Sequence, residues 1–272
     1  MDENLYFENY DRLNKKAVFM FDTTYGGIGD FFKYFIYALN ICIENEIKMY
    51  YLLEDIHINN YIKLKFNIMY ITKKDLINTK KIANINELES IQQIDIDNSV
   101  LFTITPHSMY KRSEPKIYEN VRNVNKFFFF TDIIKSTAHT LIKGSKEYIS
   151  IHLRLGDKFL ETEEKFKFCH TDERLFKDKK LFDFIEKHSQ KKIIFFCDNN
   201  KYKEWLKKKY DFINITELDV AHTAYTNTTD TQCFNAIVEF FMLIKSKEIY
   251  CASRSGFSIM ASKFENVPIY NI

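Results

Sequence analysis

Tyr148-Ile149-Ser150-Ile151-His152-Leu153-Arg154-Leu155-Gly156-Asp157 decides the fold class of this 272-residue chain. Side chains alternate across a β-strand, so Ile149, Ile151, Leu153 and Leu155 form an apolar row and Ser150, His152 and Arg154 the opposite row. The spacing predicts a strand over 148–155. Toward the C-terminus, apolar runs and helical periodicities take turns. A helix is expected over 180–188, a strand over 191–198, a helix over 202–210 and a strand over 212–216. A long helix over 230–246, a strand over 248–253, a helix over 256–264 and a last strand over 268–272 complete the pattern. Strands separated by helices of this length form right-handed βαβ units on a parallel sheet.

The same alternation is weaker upstream. Residues 17–21 read as a buried strand, and a glycine loop follows. Apolar residues at 31, 32, 35, 36, 39 and 43 then mark an amphipathic helix over 31–44, and 48–53 reads as the next strand. Between 56 and 130 the periodicity blurs, and Phe127-Phe128-Phe129-Phe130 fits either a buried strand or a helix packed on both sides. The small, polar stretch Ile142-Lys143-Gly144-Ser145-Lys146 separates the two patterns. The expected architecture is α/β: two Rossmann-like domains, 1–142 and 143–272, facing each other across a cleft.

Six glycines occur, and five of them fall in Gly26-Gly27-Ile28-Gly29-Asp30, in the 148–157 stretch and in Ser253-Arg254-Ser255-Gly256-Phe257-Ser258. Each segment follows a predicted strand and faces the start of a helix, where α/β folds build anion and nucleotide sites. The balance of 39 basic against 37 acidic residues leaves a formal net charge of +2, so no bulk field points to nucleic acid or a membrane surface. Five widely spaced cysteines form no C-x-x-C pair and no zinc-spaced set, which favours a reducing compartment. There is no apolar run of roughly 18 residues and no basic-then-apolar N-terminus. The chain is therefore expected to be soluble and cytoplasmic, with no integral membrane segment.

Parallel strands are usually apolar on both faces. A His and an Arg side by side at a strand's carboxyl end, where open α/β sheets bind ligands, read as a ligand-facing pair. The Arg154 guanidinium offers a rigid donor fork for phosphate oxygens. The competing reading pairs Arg154 with Asp157 and leaves His152 merely half-buried. The first glycine loop is no Walker A, and as G-x-G-x-x-G it fails at Phe32. What remains is a close-approach turn at Gly27 and Gly29, with Asp30 entering the helix as a cap, a catalytic carboxylate or both. Glu239 is the polar residue of the apolar run 236–244. Buried, it needs hydrogen-bond partners, and a guanine edge with N1–H and N2–H supplies two; on a helix edge it is simply solvated. Ser253, Ser255 and Ser258 offer hydroxyls and backbone N–H groups at a helix start, again suited to phosphate. Asp198, at the end of the predicted strand 191–198, belongs to the same candidate set.

Taken together, the Gly26–Asp30 loop, the His152-Leu153-Arg154-Leu155-Gly156-Asp157 strand end and the Glu239-to-Ser258 block resemble the GDP-fucose-dependent fucosyltransferases of the α1,2 / α1,6 / protein-O-fucosyl group. That group typically carries G-G-x-G-[ND], H-x-R-x-x-D and an acidic residue some sixteen positions before a serine, a separation that Glu239 and Ser255 keep. The resemblance runs through the whole chain in order and is specific in the three motifs. It implies a metal-independent, cofactor-free GT-B enzyme that inverts the sugar carbon, with GDP-fucose as donor and a carbohydrate acceptor. By position, Arg154 would hold the β-phosphate, His152 would lie near the nucleotide, Glu239 would read guanine and Ser255 would contact phosphate. Departures are Leu155 in place of a second basic residue, Glu239 in place of the usual Asp, and Gly256 lengthening the serine loop.

Glycosyl transfer builds negative charge on the departing diphosphate, which Arg154 and helix N-termini can neutralise. Asp30 is the carboxylate best placed in the sequence to accept the acceptor's proton. Three other readings stay open. A heptosyltransferase-like GT-B enzyme would use an ADP-linked donor, against which Glu239 argues. An NAD oxidoreductase would need a third loop glycine in addition to an acid such as Glu54 or Asp55. A non-catalytic glycan-binding protein could keep the same fold.

Overall fold

The computed structural model of the chain describes residues 2–52, 56–88, 99–109, 124–142, 147–155, 177–223 and 228–272. Its strands are β1 (Lys16–Phe19), β2 (Lys48–Leu52), β3 (Ile62–Leu64), β4 (Tyr70–Ile71), β5 (Thr79–Lys81), β6 (Leu101–Ile104) and β7 (Phe128–Phe130) in the first half. The second half contributes β8 (Ile149–Leu153), β9 (Ile193–Cys197), β10 (Asn214–Ile215), β11 (Glu248–Cys251) and β12 (Ile269–Asn271). The helices are α1 (Glu3–Glu8), α2 (Ile28–Glu44), α3 (Ile58–Tyr61), α4 (Val124–Phe127), α5 (Asp132–Leu141), α6 (Asp178–Lys187), α7 (Asn200–Lys209), α8 (Asp230–Ile244) and α9 (Gly256–Glu265).

The strands form two five-stranded sheets, ordered β4-β2-β1-β6-β5 and β10-β9-β8-β11-β12, with parallel neighbours throughout. In the second sheet the chain steps outward from β8 through β9 to β10, then returns to the other side of β8 for β11 and β12. The order reverses between β8 and β11. In the first sheet it reverses between β1 and β6. At such reversals the loops at the strands' carboxyl ends diverge and leave a ligand crevice. The Gly26–Asp30 loop follows β1, Arg154 follows β8 and the Ser253–Gly256 loop follows β11, so each motif lies at a reversal.

Both central strands of the second sheet, β8 and β9, are buried along their whole length. Ile149, Ile151, Leu153 and Leu155 join one apolar cluster with Leu181, Ile185 and Leu206 of α6 and α7, which fixes the predicted face division of β8. A larger cluster runs without interruption from Tyr6 through α2 to α8 and α9. The helix expected over 31–44 begins at Ile28, and it is buried on every side rather than amphipathic. Phe31 and Phe35 pack on Tyr51 of β2, while Phe32 meets Phe240 of α8 and Phe264 of α9. A helix covered by a sheet on one side and helices on the other needs apolar residues all round.

The polyphenylalanine run is divided between two elements. Phe127 closes α4, and Phe128–Phe130 forms β7, antiparallel to β3. Phe128 and Phe130 are buried and Phe129 is exposed, as strand alternation requires. Near the start of β2 the Tyr6 hydroxyl donates to Ile47 O and accepts from Met49 N, and the Tyr10 hydroxyl donates to Met49 O. These side chains satisfy backbone groups that β4 does not reach. Among the described residues no helix is long and apolar enough to cross a membrane. Gly156, Asp157 and the 143–146 stretch lie outside the described residues.

Candidate nucleotide site

The register of the second sheet positions the strand-end pair. His152 lies opposite Cys251 of β11 and Phe196 of β9. Two residues on, Arg154 N donates to Ser253 Oγ and Ser253 Oγ donates to Arg154 O, both at 2.8 Å. Arg154 Nη1 meets Asp198 Oδ2 at 2.5 Å, and Asp198 Oδ1 accepts from Leu155 N at 2.8 Å. The described carboxylate partner of Arg154 is therefore Asp198, on the neighbouring strand. Ser253 fixes the Arg154 backbone and Asp198 its guanidinium, so both of these candidate residues hold Arg154 in place.

His152 is 5 % exposed, and its ring lies 5.4 Å from that of Phe257 at an interplanar angle of 22°. Burial drives its pKa down to about 4; the Asp198 carboxylate opposes the shift and Arg154 adds to it. The imidazole is neutral at pH 7. Among the described residues its buried Nδ1 has no hydrogen-bond partner. A polar atom buried without a partner costs about 1–3 kcal/mol, a penalty that a ligand donor or acceptor would relieve.

Phe257 links this strand end to the first glycine loop. A Cβ added at Gly29 would lie 2.6 Å from the Gly256 carbonyl carbon, 2.7 Å from its oxygen and 2.8 Å from Phe257 N. The first turns of α2 and α9 thus cross backbone against backbone, which no residue larger than glycine allows. Gly27 is the N-cap of α2, and a Cβ there would meet Thr223 Oγ1 at 3.0 Å and His222 Nε2 at 3.3 Å. Gly26 adopts φ +127°, a conformation that glycine tolerates and L side chains do not. Asp30 is not the cap expected as one of its roles. It is the third residue of the helix, and its Oδ1 is bound by Lys33 Nζ at 2.8 Å.

The third motif is more internal than a phosphate loop requires. Ser255 is the N-cap of α9, accepting from Phe257 N. Ser258 is fully buried; its hydroxyl donates to Ser255 O and takes the Cys251 thiol as donor. Glu239 is 4 % exposed, which removes the solvated helix-edge reading. Its Oε1 accepts from Lys203 Nζ at 3.0 Å and from the Thr216 hydroxyl. Burial raises the Glu239 pKa, with Lys203 and Thr216 pulling it back and Asp198 pushing the same way as burial.

Several of these residues are invisible to sequence reasoning. Lys203 stands in the lysine-rich run of α7 and Lys33 in an apolar helix, and neither position carries a pattern that distinguishes a buried ammonium. His222 and Thr223 had a signal, because they lie in a polar stretch between a strand and a long helix. The assembled site has two helix N-termini in contact, a neutral imidazole with an open nitrogen, and a guanidinium locked by a carboxylate. Such a site can hold an anion beside its positive helix ends and stabilise charge that grows on it.

No family model matches the sequence, and no curated protein sequence matches it. Solved structures do. POFUT1 in complex with GDP-fucose matches with a TM-score of 0.57 at 10 % identity, over 95 % of this chain and 98 % of that one. A mutant of Arabidopsis thaliana FUT1 in complex with GDP matches with a TM-score of 0.57 at 10 % identity, over 100 % and 74 %. The NodZ α-1,6-fucosyltransferase co-crystallised with GDP matches with a TM-score of 0.58 at 9 % identity, over 95 % of each chain. At this level of identity the likeness is one of architecture: the chain has the fold of these fucosyltransferases, as its three motifs imply.

Proposed function

We propose that the protein is an inverting, metal-independent glycosyltransferase of the GT-B kind that moves fucose from GDP-fucose to a glycan hydroxyl. The observation that carries this reading is the contact of α2 with α9 at Gly29 and Gly256, beside Arg154 and the open Nδ1 of His152. It brings two positive helix ends together at Phe257, whose ring lies on His152, two residues before Arg154, and a departing diphosphate needs such charge. The structural neighbours named above were captured with GDP or GDP-fucose. Two Rossmann-like domains, 1–142 and 143–272, would face each other across this point, with the donor on the second and the acceptor on the first. Buried thiols at Cys42, Cys197, Cys233 and Cys251 suit a reducing, cytoplasmic setting.

In this mechanism the acceptor oxygen attacks the anomeric carbon as the bond to the β-phosphate oxygen breaks, and that bond's electrons pass to the phosphate. Arg154 neutralises the growing charge, with Asp198 and Ser253 keeping the guanidinium oriented. The phosphates lie against the backbone of Gly27 and Gly29 and the Ser255 end of α9, with His152 beside the nucleotide. Glu239 accepts from the guanine edge. Asp30 takes the proton of the acceptor hydroxyl.

Thermal shift against GDP, UDP, ADP and NAD tests the reading, because a ligand at a thousandfold excess over its Kd adds about 4 kcal/mol to native stability. GDP is expected to raise Tm well above the other three, and fucosyl transfer to proceed at the same rate in excess EDTA. Equal shifts for GDP and ADP, or transfer lost in EDTA and restored by Mg²⁺, would overturn it.

A further inference from the structure

Lys203 is 2 % exposed, and its Nζ spends all three donors internally. It reaches Glu239 Oε1 at 3.0 Å, Leu218 O at 3.1 Å and Thr216 Oγ1 at 3.4 Å. An ammonium buried this fully is costly unless an anion faces it at short range, and Glu239 is that anion. The contacts are one-sided, since Lys203 and the Thr216 hydroxyl both use Oε1. Among the described residues no donor reaches Oε2. Among the described residues, then, one carboxylate oxygen is committed and the other is left open.

We infer that Lys203 is the positioning residue that sets base specificity, by keeping the Glu239 carboxylate charged and turned so that Oε2 is its open acceptor. This rests on the proposal that Glu239 reads the nucleobase. It narrows that proposal: the base is read through one charge-assisted hydrogen bond to Oε2, not through two equivalent oxygens. The groups facing Glu239 are Lys203 from α7, Thr216 after β10, and Asp198 and Cys197 at the end of β9, while the Leu218 carbonyl faces Lys203. Asp198 and burial both favour a protonated Glu239, and Lys203 is the cation that opposes them. The Cys197 thiol is pushed well up by burial and stays protonated. Without Lys203, burial and Asp198 would face no opposing cation and would favour the protonated carboxyl, a donor turned toward the guanine donors.

The test is calorimetric titration of GDP between pH 6.5 and 8.5 with the full chain and the variants Lys203→Met, Lys203→Arg and Glu239→Gln. Expressing each variant's affinity as a ratio to wild type cancels the ionisation of GDP itself. Lys203→Met is expected to bind at least about tenfold more weakly at pH 7 and to recover as the pH rises and Glu239 ionises. Glu239→Gln should be weaker at every pH with no such slope, and Lys203→Arg should stay close to wild type. A Lys203→Met ratio that is flat with pH would overturn the inference. If Lys203→Met does not fold, carboxyl carbon-13 NMR of the wild type decides, since a Glu239 resonance that is protonated at pH 7 excludes a charge held by Lys203. Wild type binding GDP no better than ADP would sink the guanine reading, while the NMR titration would still judge the hold of Lys203 on Glu239.

Discussion

Arg154 is fixed at three points: its backbone N–H and carbonyl by Ser253, and its guanidinium by Asp198. With Nη1 committed to Asp198, the guanidinium stays aimed without reorganising during the proposed reaction, which is the condition under which such groups lower barriers most. Arg154→Lys keeps the charge and loses the planar fork, so it cannot hold Asp198 and a phosphate oxygen together. It is expected to reduce kcat by about 10²-fold, with a smaller loss in GDP affinity, because the phosphate charge grows toward the transition state. Steady-state kinetics beside calorimetry would reveal the split; equal losses in both would make Arg154 a plain ground-state ligand. Asp30→Asn separates two roles at one position. Because Gly27 is the cap, the variant leaves the cap intact, but it removes the acidic charge of the first turn and weakens the pair with buried Lys33. A fall in Tm with transfer unchanged would mean that Asp30 serves Lys33 and that the acceptor proton leaves by another route.

At the scale of elements, the crossing of α2 and α9 is where the two halves of the chain constrain each other most tightly. Gly29→Ala gains helix propensity of about 1 kcal/mol, but its Cβ would stand within 2.6–2.8 Å of Gly256 and Phe257 backbone atoms. Backbone cannot swing aside as a side-chain tip can, and overpacking of this kind costs typically about 1–3 kcal/mol. The expected result is a lower Tm and a GDP affinity reduced more than the Tm loss explains, since Phe257 carries the ring on which His152 stacks. A Gly29→Ala variant with wild-type Tm and GDP binding would show that the helices separate freely. Much of this level was legible in the sequence. The strand of 148–155 is present over Ile149–Leu153, and the helix of 230–246 over Asp230–Ile244, because their periodicity records one-sided or complete burial. The all-round burial of α2 was not legible, because its second covering layer comes from α8 and α9, some two hundred residues downstream. The division of the phenylalanine run was equally hidden, since four identical residues carry no periodicity.

For the whole molecule, one apolar cluster spans Tyr6 to Val267 and joins elements from both halves of the chain, while a second lies between β8, β9, α6 and α7. The polar connections across that core are what sequence reasoning could not supply: Lys203 to Glu239 and Asp198 to Arg154 join residues whose partners are set by topology alone. Such a molecule should carry its site chemistry in its global stability, and His152 gives the clearest case. Its folded-state pKa of about 4 lies below the unfolded value of 6.5. Between those values the unfolded chain binds a proton that the folded chain refuses, so stability rises with pH across this window and falls as pH drops through it. At about 1.4 kcal/mol per pH unit the loss amounts to roughly 3 kcal/mol between pH 6.5 and pH 4. Denaturant melts across that range should show the decline in wild type. His152→Gln, which cannot take up the proton, should flatten the part of the curve that His152 causes, leaving the acid loss from carboxylates such as Asp230, whose pKa is lowered chiefly by the Tyr61 hydrogen bond. If the wild-type and His152→Gln curves run parallel from pH 6.5 to 4, the imidazole is not held neutral by burial, and its open Nδ1 is not the preformed contact that the proposed nucleotide site requires.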